Sequence, residues 1–170
     1  STDFAISEIP YQGTDEQGNA DTSNGRGYAY LPIVAGGTAF TYQLKVGGTM
    51  VRNLRLSGTT LAKIFTNQIT NWNDPAIAKD NNGRTFPDLK ITPVVRSDGS
   101  GTTAQLTLWM SKKYPTLWNA YCKRAGRPAN PCCMTSNFPV VSGSGFTAQA
   151  QSLGVAGYVA QDHNEGTITY

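Results

Sequence analysis

An α/β fold, with a mixed or mostly parallel sheet flanked by helices, is predicted by three features of this 170-residue chain. Segments of strand type and of helix type alternate along most of its length, the pattern that lays helices against a sheet. The main strand-type runs are nearly continuous in apolar residues, as expected where both faces of a sheet are covered. Gly, Pro, Asn and Asp punctuate the alternation at turns, and no internal repeat or low-complexity tract interrupts it.

Taken in order, residues 2–8 (TDFAISE) alternate enough for a short strand, and residues 9–27 read as a polar, Gly- and Asn-rich surface loop. Residues 28–46 (YAYLPIVAGGTAFTYQLKV) then predict one or two buried strands. In LSGTTLAKIFTNQITNW, hydroxyl caps precede Leu61, Ile64 and Phe65 at helical spacing. Asp74 followed by Pro75 marks the next helix start, and the glycine of AIAKDNNG marks its end. ITPVVR predicts a strand. TTAQLTLWMSKKY predicts a helix with Leu106, Trp109 and Met110 on one side, stopped at Pro115, which opens another helix that closes at Gly126. A Gly/Ser turn, a short helix over FTAQAQSLG and a final strand over GVAGYVAQ complete the reading.

Composition narrows the function. Apolar residues make up 39% and charged residues 15%, and no apolar run reaches the roughly 18 residues of a spanning helix, so no membrane span is expected. The net charge of +3 is carried by scattered Lys and Arg, so no nucleic-acid footprint is expected. The first residues carry no signal peptide and read as a strand entered midway, at the boundary of a fragment. Cys122, Cys132 and Cys133 are odd in number, and the adjacent pair joins only with strain. A bridge from Cys122 to one of the other two would close a short loop and contribute about 2–3 kcal/mol in an oxidising compartment. Zinc is the weaker rival, since three thiols and the single His163 lack the usual paired spacing.

The most informative stretch is VVRSDGSGTT, residues 94–103. It hands a strand directly to a helix start, the place where open α/β sheets bind ligands. The first N–H groups of a helix have no internal partners and suit an anion. Ser100, Gly101 and Thr102 would present such donors, Arg96 would add a planar cation, and Asp98 would hold that guanidinium in one orientation. No lysine follows the glycines, so this is no Walker loop, and the third glycine of a dinucleotide fingerprint is missing. The bland alternative is a serine-capped turn with a surface Arg–Asp pair.

With this cradle placed, the chain resembles the substrate-binding protein of the phosphate ABC transporter. TDFAISEIP resembles that family's strand leading to a Ser-Asp-x-Pro element. LSGTTLAKIFTNQITNWNDPAIAKDN is similar to its Trp-bearing helical segment, ITPVVRSDGSGTT to its Arg-x-Asp-Gly-Ser-Gly-Thr motif, and GVAGYVAQ to its closing strand. The resemblance implies one lobe of a type II periplasmic-binding-protein-like fold spanning residues 1–170, with 1–8 and 155–170 as crossing or hinge strands. Family members are about twice this length and hold phosphate between two lobes. The resemblance further implies phosphate contacts from Arg96, Ser100, Gly101 and Thr102, with Asp98 orienting Arg96. It places Glu8 where the family has an aspartate that accepts a hydrogen bond from the protonated phosphate oxygen. An acceptor-only carboxylate favours a protonated anion over sulfate. A periplasmic, cell-surface or extracellular location, an ABC transporter permease as partner, no cofactor and no catalysis are the corresponding expectations.

Two other readings stand beside it. One keeps the fold as a structural or interaction module with a vestigial site; the other makes Ser100 the nucleophile of a secreted hydrolase, with His163 as its base. No Gly-x-Ser-x-Gly elbow frames Ser100, and His163 lies in the polar stretch DHNEG. Trp72 and Tyr158 read as packing residues, Asp74 as a helix cap, and Lys112, Lys113, Lys123, Arg124 and Arg127 as a solvated basic face or as favourable charge near helix carboxyl ends.

Overall fold

The strand Thr92–Arg96 organises the domain. The structure, a computed structural model, describes residues 3–16, 19–127 and 134–170. In chain order the strands are β1 (Gly13–Thr14), β2 (Ala20–Asp21), β3 (Thr41–Tyr42), β4 (Lys45–Val46), β5 (Thr49–Met50), β6 (Thr92–Arg96), β7 (Thr147–Gln149) and β8 (Thr167–Thr169). The helices are α1 (Gly58–Phe65), α2 (Pro75–Asp80), α3 (Gly101–Lys113), α4 (Pro115–Arg124) and α5 (Gln151–Val159). The main sheet has the order β3-β8-β6-β7. β6 runs parallel to β7 and to β8, while β3 is antiparallel to β8, so the sheet is mixed.

Successive strand side chains point to opposite faces, and β6 uses both. Val95 joins Ile64 and Phe65 of α1, Leu106 and Met110 of α3, and Trp118 and Tyr121 of α4 in the principal core. Val94 packs on the other face against Val155 and Val159 of α5. Helices therefore cover both faces, which is why the adjacent Val94 and Val95 are both fully buried. Trp72 is fully buried in the principal core, and its indole N–H donates to the Gly166 carbonyl at 3.0 Å. Its packing role, and that of half-buried Tyr158 against the Val94 cluster, agree with the sequence reading.

Helix starts follow the expected chemistry. The Ser57 hydroxyl accepts from Thr60 N–H, Asp74 from Ala76 N–H ahead of Pro75, and Ser100 from Thr103 N–H. Each satisfies one of the orphan amides of a first turn. Asp80 secures α1 from outside by accepting from Ser57 N–H at 2.8 Å and from the Thr60 hydroxyl at 2.6 Å.

Five expectations are corrected. Residues 3–8 form no strand and are exposed; of residues 28–46, expected to hold one or two strands, only Thr41–Tyr42 and Lys45–Val46 are strand, and residues 28–40 form none. The expected loop after Pro10 contains the small hairpin β1–β2. Of the helix expected over FTAQAQSLG, Thr147–Gln149 are strand, pairing in parallel with Val94, Val95 and Arg96, while residues 151–154 open α5. GVAGYVAQ is helix, not strand: Val155 and Val159, four residues apart, bring one helical face onto β6. The closing strand is β8 instead. It enters through Gly166, at φ +91°, where an added Cβ would lie 2.5 Å from the Lys90 carbonyl oxygen. Of the proposed crossing segment, residues 155–159 are thus helical and 167–169 are strand.

Candidate anion-binding site

At the carboxyl end of β6 the chain turns through Ser97–Gly99 and opens α3. Arg96 lies across this turn with its side chain 14% exposed. Its Nε donates to Asp98 Oδ1 at 2.7 Å, its Nη2 donates to Asp98 Oδ2, and its Nη1 donates to the Ser100 hydroxyl at 3.2 Å and the Ser152 hydroxyl at 3.4 Å. Asp98 also accepts from Gln151 N–H at 2.9 Å, tying α5 to the turn. Hydrogen bonds from the guanidinium, then from that amide, hold the Asp98 carboxyl well below the usual carboxylate range. The same pairing with Asp98 raises Arg96 above its ordinary value. The guanidinium is therefore a fixed, permanent cation aimed along the start of α3.

The amides of that start have two fates. Ser100 N–H, expected to face a ligand, instead donates to the Ser136 carbonyl at 2.9 Å. The N–H groups of Gly101 and Thr102 have no protein acceptor among the described residues. Being the first two helical residues, they have none available within the helix. Ser100 retains its hydroxyl, which accepts from both Thr103 N–H and Arg96 and still carries a proton to donate. Thr103 is anchored by its own hydroxyl to that of Tyr170 at 2.8 Å. Burial pushes the Tyr170 phenol up to about 12, and its ring packs 5.6 Å from that of Phe65.

Glu8 reaches the same place from the far end of the sequence. Gln105 of α3 donates to its carbonyl at 3.1 Å, and its side chain lies against Gly101. A Cβ on residue 101 would come within 2.7 Å of Glu8 Cβ and Cδ, so only glycine permits this approach. Arg96, Asp98, Ser100, Gly101, Thr102 and Glu8 are thus brought together around one helix start.

Sequence reasoning missed Glu16, which follows β1 by two residues. Its carboxylate accepts from Ser136 N–H at 2.6 Å, the Ser136 hydroxyl at 3.0 Å, the Thr135 hydroxyl at 2.7 Å, Asn137 Nδ2 at 3.4 Å and Arg127 Nη1 at 3.3 Å. Burial alone would raise this carboxyl, but the hydrogen bonds, led by those from Thr135 and Ser136, hold it below its ordinary value. No local motif marks Glu16, because all its partners lie more than 100 residues away. Arg127 is therefore no member of a solvated basic face. Arg124 also departs from it: it donates to the Thr66 carbonyl and lies 5.5 Å over the Tyr121 ring. Lys112, Lys113 and Lys123 are exposed.

His163 lies exposed in a short 3-10 turn after α5, on a different segment from Ser100. Cys122 is fully buried on α4; Cys132 and Cys133 lie outside the described residues. Among the described residues no His, Cys, Asp or Glu cluster is placed to hold a metal ion, and no helix is long and apolar enough to cross a membrane.

A mixed sheet clothed on both faces by helices, with a helix opening at the carboxyl end of its central parallel strand, defines a lobe of the periplasmic-binding-protein-like class. The chain belongs to the family described as the PBP superfamily domain, whose family model matches residues 1–170. Among curated proteins it is similar to the phosphate-binding protein PstS3 of Mycobacterium bovis, 40% identical over 126 residues that cover 74% of this chain and 32% of the relative. It is also similar to the phosphate-binding protein PstS of Pasteurella multocida, 48% identical over 82 residues, 48% of this chain and 23% of that protein. The matches thus span a third or less of the length of these relatives. Among solved structures a DING protein shares the fold, with a TM-score of 0.50 and 22% identity, covering 77% of this chain and 31% of that one.

Proposed function

We propose that the chain is a non-enzymatic receptor lobe that takes inorganic phosphate, as hydrogen phosphate, at the start of α3, within a substrate-binding protein for phosphate uptake. One observation carries the reading: the Gly101 and Thr102 N–H groups, without a protein acceptor among the described residues, lie beside a guanidinium fixed by Asp98. Positive charge and oriented donors converge there, a combination that suits a small oxyanion. The names of the curated relatives support the ligand class. In this reading Arg96, Gly101 and Thr102 bind phosphate, Ser100 donates through its hydroxyl, and Glu8 accepts the proton of the bound anion. The lobe is residues 1–170, with 1–8 and 155–170 at the crossing between lobes. Exposed Phe4, Ile6, Leu31, Ile33 and Val34 then belong to the surface that a second lobe covers. An extracellular, cell-surface or periplasmic setting, a transporter permease as partner and a bridge from Cys122 to Cys132 or Cys133 complete the proposal.

Isothermal titration with phosphate and sulfate tests it. Phosphate-selective heat that Arg96→Ala abolishes is the expected result; no heat with either anion overturns the reading. The second reading, an interaction module with a vestigial site, is favoured by the Glu8 side chain lying directly on Gly101. Glu8→Asp withdraws the carboxylate by one methylene. No phosphate heat from either the unmodified protein or Glu8→Asp would support the vestigial site.

A further inference from the structure

The backbone of Ser136 joins two parts of the molecule that no sequence motif connects. Its N–H donates to Glu16, and its carbonyl accepts from Ser100 N–H at 2.9 Å. The segment that carries it is fixed to the middle of α3 as well: Thr107, buried in that helix, donates its hydroxyl to the Thr135 carbonyl at 2.9 Å and accepts from Thr135 N–H at 2.9 Å. Glu16 supplies the opposite anchor. Its two carboxylate oxygens collect donors from Arg127, Thr135, Ser136 and Asn137, which gives a short segment of irregular backbone one defined position.

That position matters for an anion at α3. A backbone carbonyl carries partial negative charge, and one turned toward an oxyanion repels it. Bonded to Ser100 N–H, the Ser136 carbonyl has its partner within the protein. Gly101 and Thr102 remain as the open donors. The Glu16 charge is paired with Arg127 at 3.3 Å.

We propose that Glu16 is a positioning residue for the oxyanion cradle: by seating residues 135–137 it locks the Ser136 carbonyl onto Ser100 N–H and leaves the next two amides for the ligand. The proposal rests on the phosphate reading and adds a determinant from a part of the chain outside the cradle motif. A purely structural clip would hold residues 135–137 without altering the cradle, so the test reads the cradle directly.

The 170-residue protein is compared with its Glu16→Gln and Glu16→Ala variants by 1H–15N correlation spectra without ligand, and by calorimetry with inorganic phosphate. The expected result is that the Ser136 and Ser100 amide resonances shift together in both variants, while those of Ile77 and Val155 stay in place as fold controls. Phosphate affinity is expected to fall about tenfold for Glu16→Ala, the scale of lost hydrogen bonds to a charged group, and less for Glu16→Gln, which keeps one acceptor oxygen. A Ser136 shift with Ser100 unmoved, or unchanged phosphate affinity in both variants, overturns the proposal. Should Glu16→Ala unfold, the Glu16→Gln spectrum decides by the same criterion. If the unmodified protein gives no phosphate heat, the phosphate reading falls, and the paired amide shifts alone decide whether Glu16 governs the cradle.

Discussion

YAYLPIV, residues 28–34, and ITPVVR, residues 91–96, are apolar runs of similar length with opposite fates. Ile33 and Val34 are 65% and 85% exposed and belong to no strand, whereas Val94 and Val95 are wholly buried in β6. Composition does not separate them. β6 has a hydrogen-bonding strand on each side and a helical layer over each face; residues 28–34 have neither. An apolar run becomes a strand only where its peptide groups find partners, because unmet backbone donors and acceptors cost what burial gains.

The contrast can be broken or sharpened by experiment. The largest effect is expected from Trp72→Ala, which empties the centre of the principal core and removes the indole bond to Gly166; a loss of about 3–5 kcal/mol should appear in chemical denaturation. Next comes the acid limb of stability. Asp98 and Glu16 are both held below their ordinary values of 3.8 and 4.5, Asp98 facing Arg96 and Glu16 facing Arg127. Their contribution is therefore fully present above those values and is lost as pH falls through the lower folded ones. Asp98→Asn should flatten the decline in denaturation midpoint below about pH 4, and an unchanged slope would show that Asp98 takes no part in it. Asp74→Ala removes the α2 cap and should cost about 1 kcal/mol, seen as a small drop in Tm. Leu31→Ser should change stability by less than about 0.5 kcal/mol. A larger loss there would mean that residues 28–34 are covered by protein after all, and the comparison would fail.

Much of the cradle was legible because its chemistry is local. Arg96, Asp98 and Ser100 lie within five residues, so a guanidinium–carboxylate pair and a hydroxyl cap follow from spacing alone. Glu8 was placed by resemblance; its side chain lies against Gly101. The commitment of Ser100 N–H to Ser136 was not legible, since nothing near residue 100 specifies where residue 136 runs. Glu16 escaped for the same reason. The exchange of strand and helix over residues 146–161 has a different cause. Short runs rich in Ala, Gly and Val fit either period, and the choice fell to β6: it took residues 147–149 as a parallel neighbour and left Val155 and Val159 to a helical face.

By itself, the sequence determined the α/β class, the helix starts at Ser57, Asp74 and Ser100, and a strand-to-helix turn bearing one arginine. These rest on periodicity, capping and φ preference, all of which act within a few residues. Only the tertiary structure decided which apolar runs are buried, which of the three expected amides stay open, and that a distant carboxylate seats the peptide beside them. Those outcomes depend on competition for partners far apart in the chain, and a local pattern carries no record of who wins.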